Sequence, residues 1–164
     1  MNFRESAGQR WILVADGDEA SARFVASFLL QARLRAYPTA RGLDAMRLVT
    51  RFRLGLAVVD VDLLDMPGSD LVRKLRTVEP SLPIVMTTSD YSPETEVQAR
   101  QLGIIQYIHK PVDLQRLDRV VSRIFGHGAE TLPRLTVESN GSEARFPTSS
   151  RFPVRRLWAG NGRA

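Results

Sequence analysis

The stretch "LAVVDVDLLDMPGSD", Leu56–Asp70, decides the fold because an apolar run within it ends on a carboxylate. Four apolar residues lead directly into Asp60, and two further acids, Asp62 and Asp65, follow before a Pro-Gly pair. Unbroken apolarity is typical of a strand that is covered on both faces, as in a parallel sheet. The pattern therefore predicts a buried strand with Asp60 at its carboxyl end.

Four other short apolar runs are similar to this one, and an amphipathic segment with helical spacing follows each of the five. Alternating strands and helices predict an α/β fold with a doubly wound, five-stranded parallel sheet. The run that contains Pro38 is expected at the sheet edge, because proline cannot donate to a strand ladder. The predicted strands are WILVAD (11–16), LRAYPTA (34–40), GLAVVD (55–60), PIVMTT (83–88) and IQYIHK (105–110).

Several residues mark the ends of the predicted helices. The third helix is expected over Leu71–Val78, before a proline. For the fourth helix, Ser92 is the predicted N-cap, Pro93 the first helical residue and Gly103 the residue that ends it. Asp113 is expected to cap the fifth helix.

Polar side chains end four of the five predicted strands: Asp16, Asp60, Thr88 and Lys110. In an open α/β sheet, sites form outside the carboxyl ends of the strands, so these four groups are expected to converge. Carboxylates provide ligands for a hard cation and a nucleophile, while a hydroxyl and an amine donate to anionic oxygens. The chain has 21 arginines and only two lysines, Lys74 and Lys110, which favours a specific use of the compact ammonium group. The set predicts phosphoryl-transfer chemistry.

Composition excludes several classes of protein. The chain of 164 residues has no cysteine and two histidines, which excludes a disulfide framework and disfavours a zinc site. No apolar run approaches the ~20 residues needed to span a bilayer, and the N-terminus lacks the apolar core of a signal peptide, so a cytoplasmic protein without membrane insertion is expected. Residues 10–126 are the predicted domain. Residues 127–164 form a basic tail rich in Pro, Gly, Ser and Arg, predicted to be disordered, with a partner-binding segment as the alternative.

Four motifs, in this order and spacing, resemble the receiver domain of bacterial two-component response regulators over about residues 10–126: "ILVADGDEA", "LAVVDVDLLDMPGSDLVRKLR", "PIVMTTSD" and "GIIQYIHKPVDLQRL". The resemblance implies a flavodoxin-like (βα)5 fold with strand order 2-1-3-4-5. It implies a phosphorylation-controlled switch in the two-component phosphorelay rather than an enzyme. Because residues 127–164 leave little room for a helix-turn-helix domain, a stand-alone receiver is expected. The implied partners are a sensor histidine kinase or phosphotransfer protein and an unidentified output protein.

The resemblance also assigns roles to the acids. Asp60 is the implied phosphoacceptor, and Asp16, Asp60 and the backbone carbonyl of Asp62 are the implied Mg²⁺ ligands. The family has a pair of acids after the first strand, whereas this chain has Asp16 followed by Gly17. Weak Mg²⁺ binding is therefore expected, with Asp18 as an alternative ligand, and an acid introduced at position 17 is expected to tighten it.

By the same resemblance, Thr88 and Lys110 contact the phosphoryl group, Thr88 and Tyr107 form the switch, and the peptide bond between Lys110 and Pro111 is cis. Two further departures from the family pattern occur. Leu64 replaces a proline after the phosphoacceptor, and Ile104 and Ile105 replace small and polar residues before the switch aromatic.

Two alternatives accompany this interpretation. A pseudo-receiver would keep the fold as a binding surface without being phosphorylated, which Gly17 favours and Asp60, Thr88 and Lys110 oppose. A haloacid-dehalogenase-type phosphohydrolase would use "VVDVD" as its DxD motif, but the acids beyond the lysine, Asp113 and Asp118, fall in a predicted helix. Scattered arginines in the tail provide charge without readout, so nucleic-acid binding is not expected, and a homodimer is left open.

Overall fold

The computed structural model describes residues 10–126, which form a five-stranded parallel sheet of order β2-β1-β3-β4-β5 with five helices. The chain divides into two units, Met1–Pro133 and Arg134–Ala164, and the described residues belong to the first. The predicted disordered tail lies outside the described residues. The elements are β1 Trp11–Ala15, α1 Glu19–Gln31, β2 Arg35–Thr39, α2 Gly42–Val49, β3 Leu54–Asp60, α3 Gly68–Val78, β4 Ile84–Thr88, α4 Pro93–Gln101, β5 Gln106–His109 and α5 Leu114–Phe125.

The packing of the central strand β3 explains why residues 56–59 are all apolar. Leu56 and Val58 pack into one core cluster with residues of α1 and α5, whereas Ala57 and Val59 pack into a second cluster with residues of α2 and α3. All four side chains are at most 2% exposed. The predicted fold, a flavodoxin-like sheet covered on both faces, is confirmed.

The predicted position of the proline strand is also confirmed. β2 is an edge strand that pairs only with β1 within the described sheet, with Pro38 opposite Val14 in the register. At the opposite edge lies β5, paired with β4. None of the described helices is long and apolar enough to cross a bilayer.

The ends of α4 and α5 follow the sequence with one exception. The Asp113 carboxylate accepts a hydrogen bond from the backbone N–H of Arg116 and caps α5, and Gly103 follows α4 with a φ of +71°. Ser92 occupies the N-cap position of α4, but its hydroxyl does not bond to a backbone N–H of the helix. Instead, the Asp90 carboxylate accepts hydrogen bonds from the Ser92 hydroxyl and backbone N–H, because it precedes the cap by two residues.

The loop after β3 explains the remaining acid of the opening stretch. Asp65 accepts hydrogen bonds from the backbone N–H groups of Gly42 (2.6 Å) and Leu43 (3.0 Å), so it caps α2 from another loop. These bonds lower the pKa of Asp65 and outweigh the opposite effect of its desolvation.

Helix α3 begins at Gly68, three residues before the prediction. A β-carbon at position 68 would lie 1.9 Å from the carbonyl oxygen of Asp60, so only glycine allows this helix to start so close to β3.

Candidate functional site

Three of the four side chains that were predicted to converge, those of Asp16, Asp60 and Lys110, meet at the carboxyl edge of the sheet. The Nζ atom of Lys110 lies 2.8 Å from Oδ1 of Asp16 and 2.9 Å from Oδ2 of Asp60, so the ammonium bridges the two carboxylates. The side chains are 17%, 5% and 8% exposed, respectively. The strand order places β1 and β3 side by side, while Lys110 follows β5 and reaches across β4. The cluster is a nearly buried site that opens at the sheet edge.

Burial and charge set the protonation behaviour of this cluster. Desolvation raises the pKa of Asp60 above its usual range, and it outweighs the opposing hydrogen bond from Lys110. Desolvation alone would lower the pKa of Lys110, but the hydrogen bonds to Asp16 and Asp60 overcome it and raise that pKa. Lys110 is therefore held as a cation between the two acids.

Asp16 is fixed by bonds that the sequence did not predict. Its Oδ2 accepts a hydrogen bond from the Ser21 hydroxyl at 2.6 Å, and its Oδ1 accepts one from the backbone N–H of Asp18 at 2.9 Å. The Asp18 carboxylate itself accepts from the N–H of Ala20 and caps α1. Asp18 is thus engaged at the helix terminus and is not among the side chains that the structure brings to Lys110. The position of Ser21 in the first turn of α1 was the signal available in the sequence.

The two threonines at the end of β4 have different partners. Thr87, which the sequence interpretation passed over, donates a long hydrogen bond of 3.4 Å to Oδ1 of Asp60. The Thr88 hydroxyl accepts a hydrogen bond from the backbone N–H of Asp90 at 2.9 Å. Both residues are buried. Because neighbouring strand residues point to opposite faces, one hydroxyl faces the carboxylate and the other faces the loop after β4.

Aromatic residues surround the end of β5 beside this loop. Tyr107 is 2% exposed, and its hydroxyl has no hydrogen bond of normal geometry with the described residues. Burial raises the pKa of Tyr107, an effect that the nearby Thr88 hydroxyl opposes. The ring of Tyr91 stacks on His109 at 4.5 Å, and its hydroxyl donates to the carbonyl of Lys110 at 2.7 Å. The loop after β4 is therefore tied to the end of β5, and the bond from Lys110 to Pro111 is cis.

Gly17 lies against the carbonyl of Asp62. The N–H of Gly17 donates to that oxygen at 3.1 Å, and a β-carbon at position 17 would come within 2.5 Å of it. No β-carbon fits there unless the backbone moves. An acid at position 17 would therefore require the loop after β3 to move. That such an acid tightens Mg²⁺ binding stays a prediction.

The donor atoms agree in kind with a magnesium site. Two carboxylates, from Asp16 and Asp60, and one carbonyl, from Asp62, are hard oxygen donors of the type that Mg²⁺ prefers, and Mg²⁺ keeps several waters when bound by one or two carboxylates. Each of these residues also accepts a hydrogen bond from the protein. Within residues 10–126 there is no cluster of three or more acidic or histidine side chains suited to a metal. The set fits a weakly held Mg²⁺.

Comparison with known proteins identifies the family. The family model of the response regulator receiver domain matches residues 12–122. The transcriptional regulatory protein ZraR of Salmonella typhimurium is 32% identical over 125 residues, which cover 73% of this chain and 27% of that protein. The DNA-binding transcriptional regulator NtrC of Azospirillum brasilense is 28% identical over 144 residues, which cover 87% of this chain and 30% of that protein. The chain therefore belongs to the receiver-domain family and spans less than a third of these curated relatives.

Solved structures agree with this assignment. A CheY-like receiver domain protein from Methanospirillum hungatei has a TM-score of 0.66 at 25% identity, covering 71% of this chain and 94% of that chain. A response regulator receiver protein from Pseudomonas putida has a TM-score of 0.67 at 25% identity, covering 71% and 98%. Receiver domains are signalling domains, and their fold is the one described above.

Proposed function

We propose that this receiver accepts a phosphoryl group on Asp60 from a histidine kinase or phosphotransfer protein and thereby switches a protein-binding face. The observation that carries the proposal is the Lys110 ammonium held between Asp16 and Asp60 at 2.8 and 2.9 Å. A nearly buried carboxylate beside a fixed cation is suited to nucleophilic attack on an anionic donor, since the cation offsets the charge that the donor brings. Because the matched relatives are much longer, the proposal concerns the receiver domain alone.

The transfer itself requires few groups. A carboxylate oxygen of Asp60 attacks the phosphorus of a phosphohistidine, an O–P bond forms, and the N–P bond breaks as the imidazole nitrogen leaves with its electron pair. Lys110 then contacts an oxygen of the phosphoryl group, because its Nζ already lies within hydrogen-bonding distance of Asp60. Asp16 holds that ammonium in place from the opposite side. Mg²⁺, held by Asp16, Asp60 and the carbonyl of Asp62, would supply further positive charge when bound.

The switch would work through Thr87 and Thr88, with the buried Tyr107 beside the Thr88 hydroxyl. A phosphoryl group on Asp60 adds acceptor oxygens beside Thr87, whose hydroxyl already faces Asp60, and attracts the Thr88 hydroxyl away from the N–H of Asp90. Loss of that bond would free the loop before α4, a helix in which Ala99 is the only buried residue. Val97 of α4 and Ile105 just before β5, each about half exposed, would belong to the binding face.

Two neighbouring variants test this coupling. Thr88→Val should uncouple phosphorylation from α4, so that hydrogen exchange there no longer changes when Asp60 is phosphorylated. Thr87→Val, the matched control one residue earlier, should alter the reaction at Asp60 but leave the response of α4 intact. If both variants lose the response equally, the assignment of the switch to Thr88 is wrong.

Phosphorylation is tested by intact-mass spectrometry after incubation with acetyl phosphate and Mg²⁺. The wild type is expected to gain one phosphoryl group, whereas Asp60→Asn gains none. A phosphoryl group that persists in Asp60→Asn would place the acceptor elsewhere and contradict the proposal.

A pseudo-receiver is the second candidate, and Gly17 is the observation that favours it. The second acid of the family's pair after the first strand is missing here. The backbone of Asp62 occupies the space that a β-carbon at position 17 would need. On this alternative the wild type remains unmodified in the same assay at every Mg²⁺ concentration. The fold would then serve as a binding surface in a single state.

A further inference from the structure

The amino edge, which is the end of the sheet where the strands begin, carries a cluster of arginines. Arg10 precedes β1, Arg35 is the first residue of β2, and Arg51 and Arg53 precede β3. All four are exposed. These three strands are neighbours, with Trp11 opposite both Arg35 and Leu54 in the register. Because neighbouring strands lie about 4.8 Å apart, the backbones of the three strands that begin beside these arginines span about 10 Å across the edge.

These arginines differ from those on the helices. Arg23, Arg47, Arg73 and Arg100 each pair with an acid three or four residues earlier. In contrast, the four arginines of the amino edge have no carboxylate partner among residues 10–126. Arg51 lies directly beyond the end of α2, where the helix dipole favours a cation, and its N–H donates to the carbonyl of Leu48. The other three arginines do not directly follow a helix. Ion pairing within the described domain does not account for the cluster, and the helix dipole favours only Arg51.

We propose that this amino-edge cluster, defined by Arg10, Arg35, Arg51 and Arg53, binds an acidic segment of a partner protein. Guanidinium groups form bidentate hydrogen bonds with carboxylates, so several exposed arginines that start from three neighbouring strands match closely spaced acids on one peptide. The cluster lies at the end of the sheet opposite Asp60, so the two surfaces can be occupied at the same time.

The aromatic residues at this edge favour a peptide over a nucleic acid. Trp11 is the ring available there, but the Arg35 guanidinium lies over it at 5.5 Å and the Phe52 ring lies 5.0 Å away. Proteins that bind single strands use exposed aromatic faces on which bases stack. With its ring already in contact with two side chains, Trp11 offers no such platform, whereas the guanidinium groups remain available to carboxylates.

The test uses the full-length chain and a fluorescein-labelled octaglutamate peptide, with affinity measured by fluorescence anisotropy at low salt. The triple variant Arg10→Gln, Arg35→Gln, Arg53→Gln is expected to bind about tenfold more weakly, from three exposed charge interactions of modest strength. The matched control is Arg47→Gln, Arg73→Gln, Arg100→Gln, which removes the same charge from the helices. It is expected to bind within about twofold of the wild type, since those arginines already have partners.

Three outcomes would overturn the proposal. An equal loss in both triple variants would show that binding depends on overall charge, and an unchanged affinity in the edge variant would place binding elsewhere in the chain. A labelled thymidine octamer that binds more tightly than the peptide through the same arginines would identify a nucleic acid as the partner. If the edge variant does not melt like the wild type, Arg35→Gln and Arg53→Gln are measured singly, and each should weaken peptide binding about twofold.

Discussion

The charged residues at the two ends of the sheet differ in how they are paired within the domain. The carboxyl edge has seven aspartates at its strand ends and in its strand-to-helix connections. The carboxylates of six of them accept hydrogen bonds from Lys110, a hydroxyl or a backbone N–H. The connections at the amino edge contain a single acid, Glu79. The seven aspartates are Asp16, Asp18, Asp60, Asp62, Asp65, Asp90 and Asp113; the arginines of the amino-edge cluster are Arg10, Arg35, Arg51 and Arg53.

The difference follows from the topology of a parallel α/β sheet. Every helix starts at the carboxyl edge, so free backbone N–H groups and the positive ends of the helix dipoles collect there and stabilise carboxylates. Asp18, Asp65 and Asp113 use these groups as helix caps. Asp16 and Asp60 also share a lysine, so the charge of their site depends on one cation. The aspartates of the carboxyl edge are thus held by bonds within the domain, whereas the arginines of the amino-edge cluster have no carboxylate partner among residues 10–126.

Removal of Lys110 should give the largest effect. Lys110→Met would leave two nearly buried carboxylates side by side, and the loss of one partner of such a cluster destabilises by about 3 kcal/mol. Urea denaturation at pH 7 measures the free energy of unfolding. The control is Lys74→Met, which removes the only other lysine from the exposed face of α3 and should change stability by less than about 0.5 kcal/mol. Equal effects of the two variants would show that the bridge does not stabilise the carboxyl edge.

Gly17 tests the packing of the same edge. Gly17→Ala should destabilise by about 1–2 kcal/mol, because its β-carbon would come too close to the Asp62 carbonyl. Gly17→Asp should be destabilised by at least as much, with like-charge repulsion added. Both are measured by thermal denaturation with and without Mg²⁺. A Gly17→Asp protein that is as stable as the wild type without Mg²⁺ would show that the loop after β3 moves readily.

The pKa of Asp60 predicts a pH-dependent stability difference that is smaller than the loss at Lys110. Burial raises the pKa of Asp60 in the folded state, so the folded protein holds this proton more tightly than the unfolded chain, and ionisation lowers stability as pH rises through the raised pKa. Asp60→Asn removes this ionisable group. The variant should be more stable than the wild type at pH 7, and the advantage should disappear below pH 3.8, the ordinary pKa of an aspartate side chain. An advantage that grows as pH falls would contradict the assigned direction.

The smallest effect is expected at the amino edge. The triple variant Arg10→Gln, Arg35→Gln, Arg53→Gln should unfold within about 0.5 kcal/mol of the wild type, because exposed charges without a carboxylate partner contribute little to stability. Urea denaturation at low and high salt measures it. A loss of several kcal/mol would mean that these arginines support the fold and would remove the contrast between the edges.

The sequence predicted the strands and the site acids because each depends on local pattern. An apolar run ending on Asp60 is visible in the chain, and the short connections of a parallel sheet then determine where Asp60 lies. The hydrogen bonds that backbone groups form with distant loops could not be predicted in this way. The closure of the Asp62 carbonyl onto Gly17 and the capping of α2 by Asp65 depend on how two distant loops pack.

The hydroxyl of Thr87 was missed for a related reason. Two adjacent threonines end β4, and which of them faces Asp60 depends on the orientation of the strand rather than on residue type. The residue periodicity of two assigns the pair to opposite faces, but it does not say which face belongs to the site. The partner arrangement of β3 and β4, with Asp60 opposite Thr87, supplies that information.

The measurement that tests the central claim most directly is chemical trapping of the acyl phosphate. Borohydride reduces an aspartyl phosphate to homoserine, which marks the modified carboxylate permanently. After treatment with acetyl phosphate and Mg²⁺ and then borohydride, peptide mass spectrometry should find the reduced residue at position 60, and no such peptide should appear in Asp60→Asn or without acetyl phosphate. Reduction at another aspartate, or at none, would contradict the assignment of Asp60 as the phosphoacceptor.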